Sequence, residues 1–94
     1  MSNTVRNDTA NHRFTLDVDG HVAFSQYQLS PGVITFLHTE VPSELGGRGI
    51  GSALARGALE QVRALGLKVV AKCPFIAAFI AKHPEFNDVL QRQR

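Results

Sequence analysis

Between Arg13 and Val18 the chain alternates, with Phe14, Leu16 and Val18 apolar and Arg13, Thr15 and Asp17 polar. A period of two marks a strand with one buried face. Asp19-Gly20 follows, a pair suited to the tight turn of a β-hairpin. His21 to Tyr27 reads as the return strand, with Val22 and Phe24 sharing a face. Ser30-Pro31-Gly32 supplies the next turn. Val33 to Val41 is rich in β-branched and aromatic residues and reads as a longer, central strand. The period then lengthens. Ile50, Leu54, Ala58, Val62 and Leu65 recur at helical spacing, with Ser52, Arg56, Glu60 and Arg63 opposite. Gly66 stands where a helix ends. Lys68 to Ala71 is a short strand, apolar enough to be buried. Pro74 suits the first position of a second helix. Phe75, Ile76, Phe79 and Ile80 make that helix nearly all apolar, and it is expected to be buried. His83-Pro84 ends it.

The order is β-β-β-α-β-α. Val33 to Ala71 forms one strand-helix-strand unit, which implies a parallel pair joined by a right-handed crossover. The expected architecture is α/β (α+β): a small mixed sheet with helices packed on it. The polar opening Met1 to Asn11 reads as a flexible, frayed tail, which leaves residues 12–94 as one domain. Glu85 to Arg94 fits a short strand and an irregular tail equally well.

Composition narrows the classes. With 44% hydrophobic residues in 94, a packed core is feasible and the composition argues against global disorder. A lone cysteine, Cys73, excludes an intrachain disulfide and a cysteine-cluster metal site. The opening lacks a signal-like apolar run, and no segment is long enough to span a bilayer. A cytoplasmic protein without a membrane partner is the expectation. The net charge of +2 is spread along the chain, without the basic and aromatic clusters of a nucleic-acid binder. That excess still favours a small polyanionic ligand.

Leu45-Gly46-Gly47-Arg48-Gly49-Ile50-Gly51-Ser52 joins the long strand to the first helix. Glycines let the main chain approach a ligand closely. The first amides of a helix lack intrahelical partners, and with the helix dipole they make an anion site. Arg48 adds a fixed charge with a planar donor fork. The spacing fits neither a Walker A loop nor a dinucleotide fingerprint. A phosphate or pyrophosphate site is expected at Gly46 to Ser52, to which the family resemblance described next adds Val41.

Val41-Pro42-Ser43-Glu44-Leu45-Gly46-Gly47-Arg48-Gly49-Ile50-Gly51-Ser52-Ala53-Leu54 resembles the acetyl-CoA-binding segment of GCN5-related N-acetyltransferases. There a strand ending in valine leads through a Gln/Arg-x-x-Gly-x-Gly/Ala turn into a helix. Gly49 and Gly51 match its two small residues, and Gly46 stands where Gln or Arg is usual. Cys73-Pro74-Phe75-Ile76-Ala77-Ala78-Phe79-Ile80 is similar to the family's next helix, often Asn-x-x-Ala-x-x-Phe-Tyr. Cys73 replaces the asparagine and Ile80 the tyrosine that often protonates the departing thiolate. The short length and His38-Thr39-Glu40-Val41-Pro42 resemble a compact subgroup, the YjdJ-like or NATD1-like proteins. The resemblance covers most of Phe14 to Phe86. It implies a truncated form of the family's fold, acetyl-CoA as cofactor, and acetyl transfer to a primary amine, on a small molecule or a protein.

That reaction needs an amine freed of its proton and a leaving thiolate that is stabilised or protonated. Glu40, near the end of the long strand, is the candidate base, and His38 on the same face is a candidate proton shuttle. Cys73 is expected at the start of the second helix beside Lys72, an environment that favours a thiolate. The alignment puts it near the thioester, as a nucleophile or as an acid in place of the missing tyrosine. The alternative is a non-catalytic acetyl-CoA or acyl-CoA binding module. The apolar second helix and small core also make a homodimer reasonable.

Overall fold

The structure is a computed structural model that describes residues 4–91. Residues 1–3 of the expected tail and residues 92–94 of the C-terminal stretch lie outside the described residues. Five strands form one sheet in the order of the chain: β1 (Arg6–Asp8), β2 (Arg13–Val18), β3 (His21–Ser30), β4 (Val33–Glu40) and β5 (Lys68–Ala71). The first four pair antiparallel, and β5 lies parallel to β4 after the crossover through helix α1 (Ile50–Ala64). Helix α2 (Pro74–Lys82) and a 3-10 segment, Pro84–Val89, follow.

The turns fall where their residues require. Val18 pairs with His21 across Asp19-Gly20, both at positive φ, and Ser30 pairs with Val33 across Pro31-Gly32. At the end of α1, Gly66 N–H donates to Arg63 O and Leu67 N–H to Val62 O, closing the helix by the six-to-one pattern. Leu65, expected on the buried face of α1, is 60% exposed, because it is the residue at which the helix stops.

One face of the sheet carries the core. Phe14, Leu16, Val18, Ala23, Tyr27, Ile34, Phe36 and Val69 are buried there under α1, through Leu54, Ala55, Ala58, Leu59 and Val62, and under Ile76, Phe79 and Ile80 of α2. The other face holds Val22, Phe24, His38 and Glu40, none of them buried. Phe75, expected to be buried with the rest of α2, is 39% exposed. The strand Lys68–Ala71 is an edge, so only Val69 is fully buried. Leu90 makes an isolated parallel bridge to Val69, and Gln91 N–H donates to Val69 O at 2.8 Å. The stretch after Glu85 is therefore a 3-10 turn ending in a single bridge. Among the described residues no helix is long and apolar enough to cross a membrane.

The opening segment departs from the expected tail. Residues 6–8 pair with β2, Val5 is buried, and Gln61 Nε2 of α1 donates to Val5 O at 2.7 Å. The polar sequence hid this, because among the described residues of the segment Val5 alone is a buried apolar anchor, and Gly57 gives the space for it. A methyl group built on Gly57 would collide with Val5 Cγ2. Alanine is the better helix former by about 1 kcal/mol, yet overpacking costs about 1–3 kcal/mol. Gly57→Ala is therefore expected to destabilise the domain by roughly 1 kcal/mol and to speed hydrogen exchange at Arg6 and Asn7. A gain in denaturation midpoint would show that Val5 does not seat on this glycine.

The C-terminal segment is clasped to α1 by polar contacts. Arg63 holds Asp88 at 2.7 Å and lies 4.9 Å over the Phe86 ring, and Arg56 reaches Glu85 at 3.4 Å. The Arg63 hydrogen bond holds the Asp88 carboxyl below its usual value of 3.8. A depressed carboxylate contributes stability that is complete above the unfolded value and lost as pH falls through the folded one. The difference in thermal midpoint between wild type and Asp88→Asn should accordingly shrink towards zero on acidification below the ordinary carboxylate range. A constant difference would mean that the pair is not ionised in the fold.

Candidate active site

The site begins with one extra residue in β4. Gln26 pairs with His38 and Tyr27 with Phe36, so Leu37 bulges out of the ladder. A bulge reverses the alternation of side chains beyond it. Ile34 and Phe36 face the core, and without the bulge His38 and Glu40 would follow them inward. Instead Thr39 points in, and His38 and Glu40 lie on the open face. Parallel pairing with β5 ends at the same point, where Lys72 N–H and Cys73 N–H both donate to Phe36 O at 3.1 and 2.9 Å.

On the open face His38 Nε2 lies 2.9 Å from Glu40 Oε2, with both side chains about 60% exposed. Their shared face is as the sequence spacing gave it. Phe24, the cross-strand partner of Glu40, meets the His38 ring edge-on at 6.3 Å and carries Arg13 over its ring at 5.2 Å. On the buried face Thr39 Oγ1 stands 2.9 Å from Ser25 Oγ and 3.2 Å from Cys73 Sγ. Ser25 is fully buried and Cys73 is 2% exposed. Cys73 is the N-cap of α2, with Pro74 next. The sequence reading grouped Cys73, Glu40 and His38, but the fold divides them between the two faces of β4. Thr39 and Ser25 are the residues that reading missed. The one available signal was the polar Thr39 in a strand whose parity a bulge had changed.

Beyond Glu40 the chain turns through a 3-10 segment, Ser43–Leu45, and buried Leu45 fixes it to the core. The glycine turn follows. Gly49, the N-cap of α1, has φ 70 and ψ 16, a left-handed geometry costly for a residue with a Cβ. The first bond into the helix is Ala53 N–H to Gly49 O at 3.0 Å, so the amides of Ile50, Gly51 and Ser52 have no intrahelical partner. They border a shallow cavity of about 230 Å³ lined by Val41, Leu45, Gly46, Gly47, Gly49, Ile50, Gly51, Ser52 and Phe75.

The cavity contains seven of the eight residues expected to bind the cofactor. Arg48 is the exception, since its Nη1 donates to Asp19 Oδ2 at 2.8 Å, on the β2–β3 turn. Gly51 has a packing role as well. A Cβ there would come 2.6 Å from Phe75 Cζ, so the glycine lets an aromatic ring lie against the start of α1. At Gly47 and Gly49 a Cβ would meet nothing within 4 Å, which leaves that side of the turn open. Free amides, an open cradle and a lining without carboxylates fit a pyrophosphate. Ile80, at the position of the family's tyrosine, is buried in the core at 2% exposure.

The family model of the GCN5-related N-acetyl-transferase matches residues 13–89. The chain belongs to that family of acetyltransferases. It is 31% identical over 84 residues to Protein NATD1 of Bos taurus, covering 85% of this chain and 74% of that protein. It also superposes on the solution structure of a GCN5-like protein from Staphylococcus aureus, with a TM-score of 0.73 and 28% identity. That match covers 100% of this chain and 94% of the other. The mixed sheet with its helices is thus the expected fold, with one more strand at its N-terminal edge.

The Ser25–Thr39–Cys73 chain makes a separable prediction. Thr39→Val keeps the shape but strands a buried hydroxyl and a buried thiol, at a cost of about 1–3 kcal/mol. Adding Ser25→Ala should recover part of that loss in urea denaturation. Additive losses would mean the two side chains do not share a bond.

Proposed function

We propose that this protein transfers acetyl from acetyl-CoA to a primary amine of a small molecule or protein. The observation that supports it most is one continuous run of chain. The strand end bearing the His38–Glu40 pair leads directly into a cavity ringed by the free amides of Ile50, Gly51 and Ser52. Acetyl-CoA supplies a thioester whose carbonyl carbon is open to attack by an amine. The three amides and the positive end of α1 hold the pyrophosphate. Val41, Gly46, Gly47 and Gly49 bring the backbone close to it, and Arg48 adds charge when it turns from Asp19.

Glu40 accepts the amine's proton at a carboxylate oxygen, and His38, whose Nε2 lies 2.9 Å away, takes that proton at Nε2 and releases its Nδ1 proton to water. Cys73 Sγ lies on the other side of β4, 3.2 Å from Thr39 Oγ1. Its 2% exposure favours the thiol as a proton donor to the leaving sulfur over the thiolate as a nucleophile. The same burial of Cys73, with apolar Ile80 at the tyrosine position, favours the second reading, a module that binds acyl-CoA without turnover.

The test is a titration with acetyl-CoA and CoA, followed by mass spectrometry of candidate amines. Both ligands should raise the melting temperature by mass action, and inorganic phosphate should do far less. Glu40→Gln should keep CoA affinity and lose about 100-fold or more in turnover. Cys73→Ala should also keep affinity and lose turnover, with no acetyl adduct on the wild-type protein in the absence of an amine. An unchanged melting temperature at saturating CoA sinks the cofactor reading. Binding without acetylation of any amine leaves the non-catalytic module.

A further inference from the structure

We infer that the open face of the sheet carries an acceptor subsite at Arg6, Thr15 and Asp17, which takes the head group of a free α-amino acid whose side chain ends in a primary amine, such as lysine. This rests on the transfer reading above and names the class of acceptor for it.

One row of residues crosses that face: Arg6 of β1 pairs with Thr15, Thr15 with Phe24, and Phe24 with Glu40. Directly paired residues share a face, so the row runs from the proposed base to the far edge of the sheet. At that edge a cavity of about 100 Å³ is lined by Thr4, Arg6, Thr15 and Asp17. It has room for a head group of a few atoms and not for a peptide chain.

The cavity holds opposite charges that do not meet. Among the described residues the side chains of Arg6 and Asp17 make no hydrogen bond and no ion pair, whereas Arg13, Arg48, Arg56 and Arg63 each hold a carboxylate. A guanidinium and a carboxylate, both unpaired in one small cavity, fit a zwitterion set between them. The α-carboxylate of an amino acid meets the planar fork of Arg6, and its α-ammonium meets Asp17. A plain amine would leave Arg6 unanswered. A lysine within a protein, whose α-groups are spent in peptide bonds, would leave both.

Distance selects the side chain. Thr15 and Glu40 lie two strands apart, about 9.6 Å at the usual spacing. An extended stem of four methylenes carries its terminal nitrogen about 6 Å from the α-carbon, and a hydrogen bond to a carboxylate adds about 3 Å. Phe24 is the floor between them. Arg13 lies over that ring at 5.2 Å from the next row and is tied to Asp8. The stem therefore takes the other side, along Val22, which is 43% exposed and pairs with Asp17. At Glu40 the ε-ammonium gives up one proton. Its nitrogen then bonds the thioester carbonyl carbon as the C–S bond breaks, and its second proton ends on the departing sulfur.

Amide NMR titration of the full chain with CoA bound, and turnover with acetyl-CoA, test this with L-lysine, cadaverine and n-pentylamine. Cadaverine lacks the carboxylate, and pentylamine lacks the second ammonium as well. L-lysine should shift the amides of Arg6, Thr15 and Asp17. Its kcat/KM should exceed that of cadaverine by about tenfold, the scale of one charge-assisted hydrogen bond. Arg6→Gln should remove that advantage through KM and leave cadaverine unchanged. Asp17→Asn should cost L-lysine and cadaverine a similar factor and leave pentylamine unchanged. Equal kcat/KM for the three amines overturns the subsite and leaves acetyl transfer intact. So does a lysine capped at both α-groups that matches the free amino acid. Shifts at Arg6 and Thr15 without acetylation of any amine keep the subsite as a binding site and overturn the transfer reading. No shift and no acetylation overturns both.

Discussion

The rest of the site depends on the extra residue at Leu37. A strand with one buried face repeats every two residues, and a single insertion exchanges its faces. Up to Phe36 the even-numbered side chains of β4 are core. Beyond Leu37 the odd-numbered Thr39 takes the inner position, opposite Ser25. A carboxylate and an imidazole are thereby kept in water, and a small, half-buried hydroxyl is placed where it has partners on both sides. The alternative register would have put Glu40 and His38 beneath the sheet without compensation, which is far more costly than a bulge. The end of pairing with β5 at the same residue opens room for Cys73 and the start of α2.

A second constraint joins the two helices. Gly51 and Phe75 touch where α1 and α2 begin, so the glycine turn and the second helix cannot be placed independently. Cys73 stands just before Phe75, and its amide bonds Phe36 O. Backbone of β4, the cap of α2 and the first turn of α1 thus form one rigid corner. Preorganisation of this kind lets amides meet a charged group without reorganising.

Most of the fold was legible because its signals were local. Asp19-Gly20, Pro31-Gly32, Gly66 and Pro74 mark their boundaries through backbone chemistry that tertiary packing did not override. The glycine turn was legible for the same reason, as the left-handed Gly49 at the start of α1 shows. What escaped was non-local. The strand at Arg6–Asp8 depends on a gap at Gly57, about fifty residues away. The division of Cys73 from Glu40 depends on a bulge that leaves no mark in composition. The exposure of Phe75 depends on a contact with Gly51, a residue whose smallness reads from sequence alone as a ligand's requirement. Arg48 shows the limit on charge: its position was evident, but its tie to Asp19 joins two turns far apart in the chain.

The one-sided sheet has a consequence for how the chain is made. Phe14, Leu16, Val18, Ala23, Tyr27, Ile34 and Phe36 all precede the residues that cover them, which begin at Ile50. During synthesis, at about 5–20 residues per second, a four-strand meander would leave the ribosome with its apolar face bare until α1 emerged. Even the first strand waits for Gly57 and Gln61 to hold it. Soluble yield should therefore respond to defects in α1 more sharply than equilibrium stability does, because a late cover leaves a sticky nascent surface in the cell for longer.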